Sequence, residues 1–178
     1  LRAIPNLTVI RPCDIIETIE AWEAALDNSG PTVLILTRQN LQLSQIINRN
    51  DNFVKNGAYA IIDYEEYDAT IMATGSEVEI ACSASIKLKK DKNLRIRVVS
   101  IPSFELFEKK DNNYKNKVLG AKTLFGIEAG VINGWEKYID TKNFIGMSTF
   151  GESAPYKELY DYFQITDENL IEKITKNL

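Results

Sequence analysis

The sequence predicts an α/β fold: a mixed, mostly parallel five-stranded sheet flanked by helices, preceded by a strand-helix-strand remnant of another α/β domain. Three observations lead there. Apolar, β-branched runs such as Pro31-Thr-Val-Leu-Ile-Leu36 and Ala69-Thr-Ile-Met-Ala-Thr74 read as strands covered on both faces, since a solvated face would impose polar alternation. Stretches with helical apolar spacing separate these runs. Finally, two strands and one helix at the start cannot bury both faces of a parallel sheet, so residues 1–40 read as the tail of a domain whose other strands lie elsewhere.

Leu7-Thr-Val-Ile10 is a short strand, and Asp14 with Glu17 three residues on is a capping box that opens a helix. Ile15, Ile19, Trp22 and Leu26 form one apolar face of that helix, expected to pack on a sheet, before Asn28-Ser-Gly-Pro31 stops it. The next strand runs into Thr37-Arg-Gln-Asn40. Residues 41–57 have little periodicity and much turn chemistry, and read as an interdomain linker. The expected division is 1–47, a linker over 48–57, and a second domain over 58–178.

The second domain opens with a strand at Ala58–Ile62, an acidic turn and a strand at Ala69–Thr74, where the short connection predicts antiparallel neighbours. Gly75-Ser-Glu-Val-Glu79 starts a helix with Ser76 as N-cap and Val78, Ala81, Cys82, Ser85 and Leu88 on its inner face. Strands at Leu94–Ile101, Thr123–Glu128 and Asn143–Met147 follow. Tyr156, Leu159, Tyr160 and Phe163 share a helical face, and Thr166 caps a last helix carrying Leu170, Ile171, Ile174 and Leu178.

With 178 residues, 44% of them apolar, the chain can bury a core. A net charge of -4 and scattered lysines argue against nucleic acid or an anionic membrane as partner. No apolar run approaches the ~20 residues that span a bilayer, so a soluble, cytoplasmic protein is expected. Cys13 and Cys82 stand far apart and read as small buried hydrophobes. The absence of histidine removes the Ser-His-Asp and Cys-His arrangements and the commonest general base. The chain opens at Leu1 already in mid-fold and reads as a piece of a larger protein.

Arg38 is the first functional candidate. Ligands of open α/β sheets gather outside the carboxyl ends of strands, and a guanidinium grips a phosphate or carboxylate bidentately at any physiological pH. The rival reading pairs Arg38 with a neighbouring carboxylate. Ala73-Thr-Gly-Ser-Glu77 could bind an anion, but it holds one glycine and two nearby glutamates, which favours plain capping. Glu128 could act as a general base, although capping of a following helix is favoured. Thr149-Phe-Gly-Glu-Ser-Ala-Pro155 reads as a helix entry, and Trp135, Tyr138, Tyr160 and Phe163 as core.

Taken together, Leu1-Arg-Ala-Ile-Pro-Asn6, Arg11-Pro-Cys-Asp14, Thr37-Arg-Gln-Asn40, Ala73-Thr-Gly-Ser-Glu77, Glu128-Ala-Gly130 and Met147-Ser-Thr-Phe-Gly-Glu-Ser-Ala-Pro155 resemble the transketolase family, in order and over nearly the whole chain. The resemblance implies the end of the pyrimidine-binding middle domain followed by the complete carboxyl-terminal domain. It implies an enzyme that uses thiamine diphosphate and a divalent cation, Mg or Ca, to move a two-carbon ketol unit from a ketose phosphate to an aldose phosphate. It implies a homodimer as well. The family's Gly-Asp-Gly cofactor motif is absent here, so this chain alone is expected to bind no cofactor or metal, to hold no catalytic residue and to be inactive. The family arginine that binds the substrate phosphate matches Arg38, with Thr37 in place of the usual serine. Rival readings are the same domain in a deoxyxylulose phosphate synthase or a dehydrogenase beta subunit, or a free-standing dimerisation module.

Overall fold

The computed structural model describes residues 1–41, 51–120 and 122–178. The first unit is β1 (Thr8–Ile10), α1 (Ile15–Asp27) and β2 (Thr32–Leu34), with β1 and β2 parallel. The second is a mixed five-stranded sheet of β3 (Tyr59–Ile62), β4 (Ala69–Ala73), β5 (Ile96–Ser100), β6 (Thr123–Ile127) and β7 (Phe144–Ile145), in the order β3-β5-β4-β6-β7. Its helices are α2 (Glu77–Lys92), α3 (Phe104–Glu108), α4 (Asn112–Leu119), α5 (Tyr156–Tyr162) and α6 (Asp167–Asn177). Only β3 runs against its neighbour, so the sheet is mostly parallel, as expected.

Alternating side chains of the strands divide the core in two. Ile71, Ala73, Val98, Phe125 and Ile127 pack under α2 and α6, against Val78, Ala81, Leu88, Leu170 and Ile174. Met72 and Val99 point the other way, into an aromatic layer of Phe104, Phe107 and Trp135. Trp135 is fully buried and meets Phe104 edge to face at 5.0 Å, which makes it core, as the helical spacing suggested.

Several sequence expectations shift. β3 and β4 are opposed in direction but are not paired, because β5 lies between them. Stepping over one strand requires about 10 Å, and the connection through Asp63 to Asp68 spans that easily. Asp63 and Asp68 anchor it onto β5 and its entry, through Arg97 (2.9 Å) and the Arg95 N–H (2.8 Å). The final strand is shorter than expected, and Cys82 is only half-buried.

The largest departure concerns α1. Ile15, Ile19, Trp22 and Leu26 are all more than half exposed, and the buried face is instead Glu17, Glu20, Ala21 and Ala24. The alanines let the helix sit close on Ile10, Leu34 and Val54. The glutamates are buried because each finds donors. Glu20 accepts the Phe53 and Val54 N–H groups (3.1 and 3.2 Å), and the Asn52 amide reaches the Glu20 carbonyl. Residues 51–57 of the expected linker thus lie on α1, with a short 3-10 turn at Val54–Asn56; residues 48–50 fall outside the described ones.

Gly57 ends that turn at φ +78, and a Cβ there would lie 2.0 Å from the Phe107 nitrogen and 2.6 Å from the Ser103 carbonyl. The backbone bond from Ser103 N–H to the Gly57 carbonyl (3.1 Å) prevents retreat. Gly57→Ala is expected to cost more than about 2 kcal/mol, seen as a lower urea midpoint at unchanged slope.

Candidate functional site

Two strands of the first unit run into an arginine, and their fates differ. Arg11, just past β1, turns into the second sheet: its Nη1 donates to the Glu77 carboxylate and to the Thr74 carbonyl (2.9 Å), and lies 3.5 Å from Glu128. Arg2 grips Glu128 bidentately at 2.7 and 2.8 Å, and the Trp135 indole N–H donates to the same carboxylate at 2.6 Å. Both cations come from the first unit, whereas Glu77 opens α2 after β4 and Glu128 directly follows β6.

Glu77 is wholly inaccessible. Burial alone would raise its pKa, but the Arg11 charge and hydrogen bonds from Arg11, Tyr160 and Ser76 outweigh that and hold it below the ordinary carboxylate range. The expected Ser76 cap is not formed. Ser76 has helical backbone angles, and its hydroxyl donates to Glu77 (2.7 Å) instead of accepting from the helix. Gly75, at φ +57, leaves room for Arg11, whose guanidinium carbon would lie 2.8 Å from a Cβ there. Glu128 likewise caps nothing, since no helix follows β6 before Thr141.

Glu17 makes a second polar junction. Asp14 accepts the Glu17 N–H (2.8 Å), as the capping box predicts, but the returning carboxylate takes the Cys13 N–H (2.7 Å) rather than that of the cap itself. It also accepts the hydroxyls of Tyr59 on β3 and Ser100 on β5, each at 2.6 Å. Burial, only partly offset by Ser100, Tyr59 and Cys13, keeps the Glu17 pKa above its usual value.

Arg38 lies on the exposed stretch beyond β2, and no carboxylate among the described residues pairs with it. Its neighbour Gln39 turns inward and donates from Nε2 to the Tyr160 hydroxyl (3.1 Å), which in turn donates to Glu77 (2.7 Å). Gln39 and Asn40 also edge a cleft of about 380 Å³ beside α2 and α5, whose rim carries Glu79, Asp161, Asp167 and Glu168 against Lys157. That acidic rim repels anions, so an anion held by Arg38 would sit outside the cleft. Of the two thiols, that of Cys13 is buried, and that of Cys82 is pushed up to about 12 by burial and Glu79, which leaves it inert.

Residues 57–166 match the model described as "Transketolase-like TK C-terminal domain", and residues 1–44 that of "Transketolase, pyrimidine binding domain". The chain belongs to the transketolase family. Among curated relatives, a transketolase of Cereibacter sphaeroides is 42% identical over all of this chain and 27% of its own length. One of Sinorhizobium medicae is 44% identical over 96% of this chain and 25% of its own. A solved transketolase from Leishmania mexicana superposes with a TM-score of 0.89 at 44% identity, covering 97% of this chain and 25% of that one. The chain therefore spans about a quarter of the length of these relatives.

In this transketolase-family chain, Arg11-Pro-Cys-Asp14 and Ala73-Thr-Gly-Ser-Glu77 are two halves of one contact. Sequence reasoning found the arginine at the end of β2 and missed its twin at the end of β1, although the same pattern, an apolar run ending in arginine, marks both.

Arg11→Met strands Glu77 in the interior and is expected to cost about 3–5 kcal/mol, while Arg11→Met/Glu77→Met recovers much of the loss. The two buried glutamates also bend the stability curve in opposite directions. Glu77, its folded pKa lowered, stabilises above its unfolded value of about 4.3, and that contribution is lost as pH falls through the folded value. Glu17, raised, contributes below its unfolded value and loses that contribution as pH rises through the folded one. Urea midpoints across the acid and neutral range should show Glu17→Gln gaining on the wild type as pH rises.

Proposed function

We propose that this chain is the carboxyl-terminal part of a transketolase, moving a two-carbon ketol unit from a ketose phosphate to an aldose phosphate with thiamine diphosphate and a divalent cation, Mg or Ca. The observation that carries this reading is the order of the two family matches, pyrimidine-binding then C-terminal, along one chain. The division into 1–47, a linker over 48–57 and 58–178 goes with it. The outward stripe of Ile15, Ile19, Trp22 and Leu26 supports it too, since a contiguous apolar face of that size is surface that the rest of a domain would cover.

Arg38 is the group that holds the substrate phosphate. It is exposed at the carboxyl end of β2 and unclaimed by any described carboxylate, which suits a guanidinium kept for a ligand. The cofactor does not fit the residues here. There is no histidine or Gly-Asp-Gly triplet, no three His, Cys, Asp or Glu side chains among the described residues are placed to hold a metal ion together, and the buried glutamates are committed to arginines, amides and hydroxyls. Thiamine diphosphate and its metal would be held by residues outside this chain, which alone is inactive. The working enzyme is a cytoplasmic homodimer; among the described residues no helix is long and apolar enough to cross a membrane.

The test is a thiamine diphosphate-dependent transfer assay on the full-length protein, with xylulose 5-phosphate and ribose 5-phosphate, and pyruvate as a competing donor. Transfer from the ketose phosphate is expected, and activity confined to pyruvate overturns the reading. Arg38→Ala should raise KM for the sugar phosphates about tenfold or more while kcat falls less, the loss of a charge-assisted contact that does not take part in bond making.

A further inference from the structure

Arg38 stands on a stretch that its own strand no longer holds. β2 ends at Leu34, and the bond from Ile35 N–H to the Ile10 carbonyl (2.8 Å) is the last rung. Among the described residues, one hydrogen bond ties 36–41 to the rest of the molecule: Gln39 Nε2 to the Tyr160 hydroxyl at 3.1 Å. The other, Gln39 N–H to Thr37 Oγ1 at 3.2 Å, is internal to the turn. Tyr160 is firmly held in its turn. Its hydroxyl donates to the inaccessible Glu77 (2.7 Å), lies 2.9 Å from Ser76 Oγ, and its ring meets Tyr156 edge to face at 5.9 Å. Glu77 is clamped by Arg11, so a continuous line of contacts joins the ion pair between the two units to the residue beside Arg38.

We propose that Tyr160 is a positioning residue for phosphate recognition: through Gln39 it holds the 37–40 turn so that Arg38 is presented to the phosphate, and thereby sets the preference for phosphorylated over unphosphorylated sugars. This rests on the reading of Arg38 given above. A guanidinium on an unanchored turn must be ordered when the ligand arrives, and fixing the backbone beforehand removes part of that cost. Tyrosine suits the task because one hydroxyl can accept from the Gln39 amide and donate to Glu77 together. Burial and the Glu77 charge push that hydroxyl up to about 12, so the donor persists at physiological pH. Phenylalanine would fill the same space and do neither.

The experiment uses the full-length holoenzyme with an unphosphorylated ketol donor, and compares one aldose with and without its phosphate. Tyr160→Phe, and separately Gln39→Met, which cuts the same bond without touching Glu77, should each raise KM for the aldose phosphate about two- to tenfold, the worth of one hydrogen bond. KM for the unphosphorylated aldose and kcat should stay within about twofold. On an Arg38→Ala background neither change should add to the loss, as expected of residues acting through one group. If both aldoses shift together, or if Arg38→Ala raises KM and the two variants do not, Tyr160 is structural only. If Arg38→Ala itself leaves the phosphate preference intact, the Arg38 reading fails and the positioning role falls with it.

Discussion

An arginine and a glutamate cannot enter a protein interior separately, and the Arg11–Glu77 pair sets how the two sheets of this chain meet. Arg11 leaves the end of β1, Glu77 opens the helix after β4, and the guanidinium must reach both that carboxylate and the Thr74 carbonyl. A small rotation of one unit against the other would leave a buried charge unpaired. Arg2, Glu128 and Trp135 close the same junction from the β6 side, so the amino-terminal unit is registered at two strand ends at once. Gly75 serves this contact, because a side chain at that place would stand where Arg11 lies.

Glu17 ties the junction further along. A lone buried carboxylate is costly, yet this one receives three donors, from the loop before α1, from β3 and from β5, and so it orders α1, β3 and β5 relative to one another. It also explains the orientation of α1. A helix with two glutamates and two alanines turned inward packs closely and supplies acceptors to buried donors, whereas turning Ile15, Ile19, Trp22 and Leu26 inward would carry both carboxylates away from the hydroxyls of Tyr59 and Ser100 and the N–H groups of Phe53 and Val54.

These junctions also bring α5 against the turn that carries Arg38. β2 is too short to hold the turn that carries the arginine, and α5 supplies the missing support through Tyr160.

Much of the architecture was legible from local pattern. Burial on both faces selects apolar β-branched strands, helical spacing marks α2 and α6, and Asp14 and Thr166 cap as their positions imply, because these effects act within a few residues. The mixed sheet and the exposed arginine past β2 followed from the same reasoning. What the tertiary structure decided were relations between distant segments: β5 entering between β3 and β4, Glu128 spent on Arg2 rather than on a helix, Ser76 turned to Glu77, and the apolar stripe of α1 facing outward. A charged residue reads alike in sequence whether its partner is water, a ligand or a carboxylate a hundred residues away. Arg11 and Arg38 end similar strands, and only the fold placed Glu77 beside one and, among the described residues, no carboxylate beside the other.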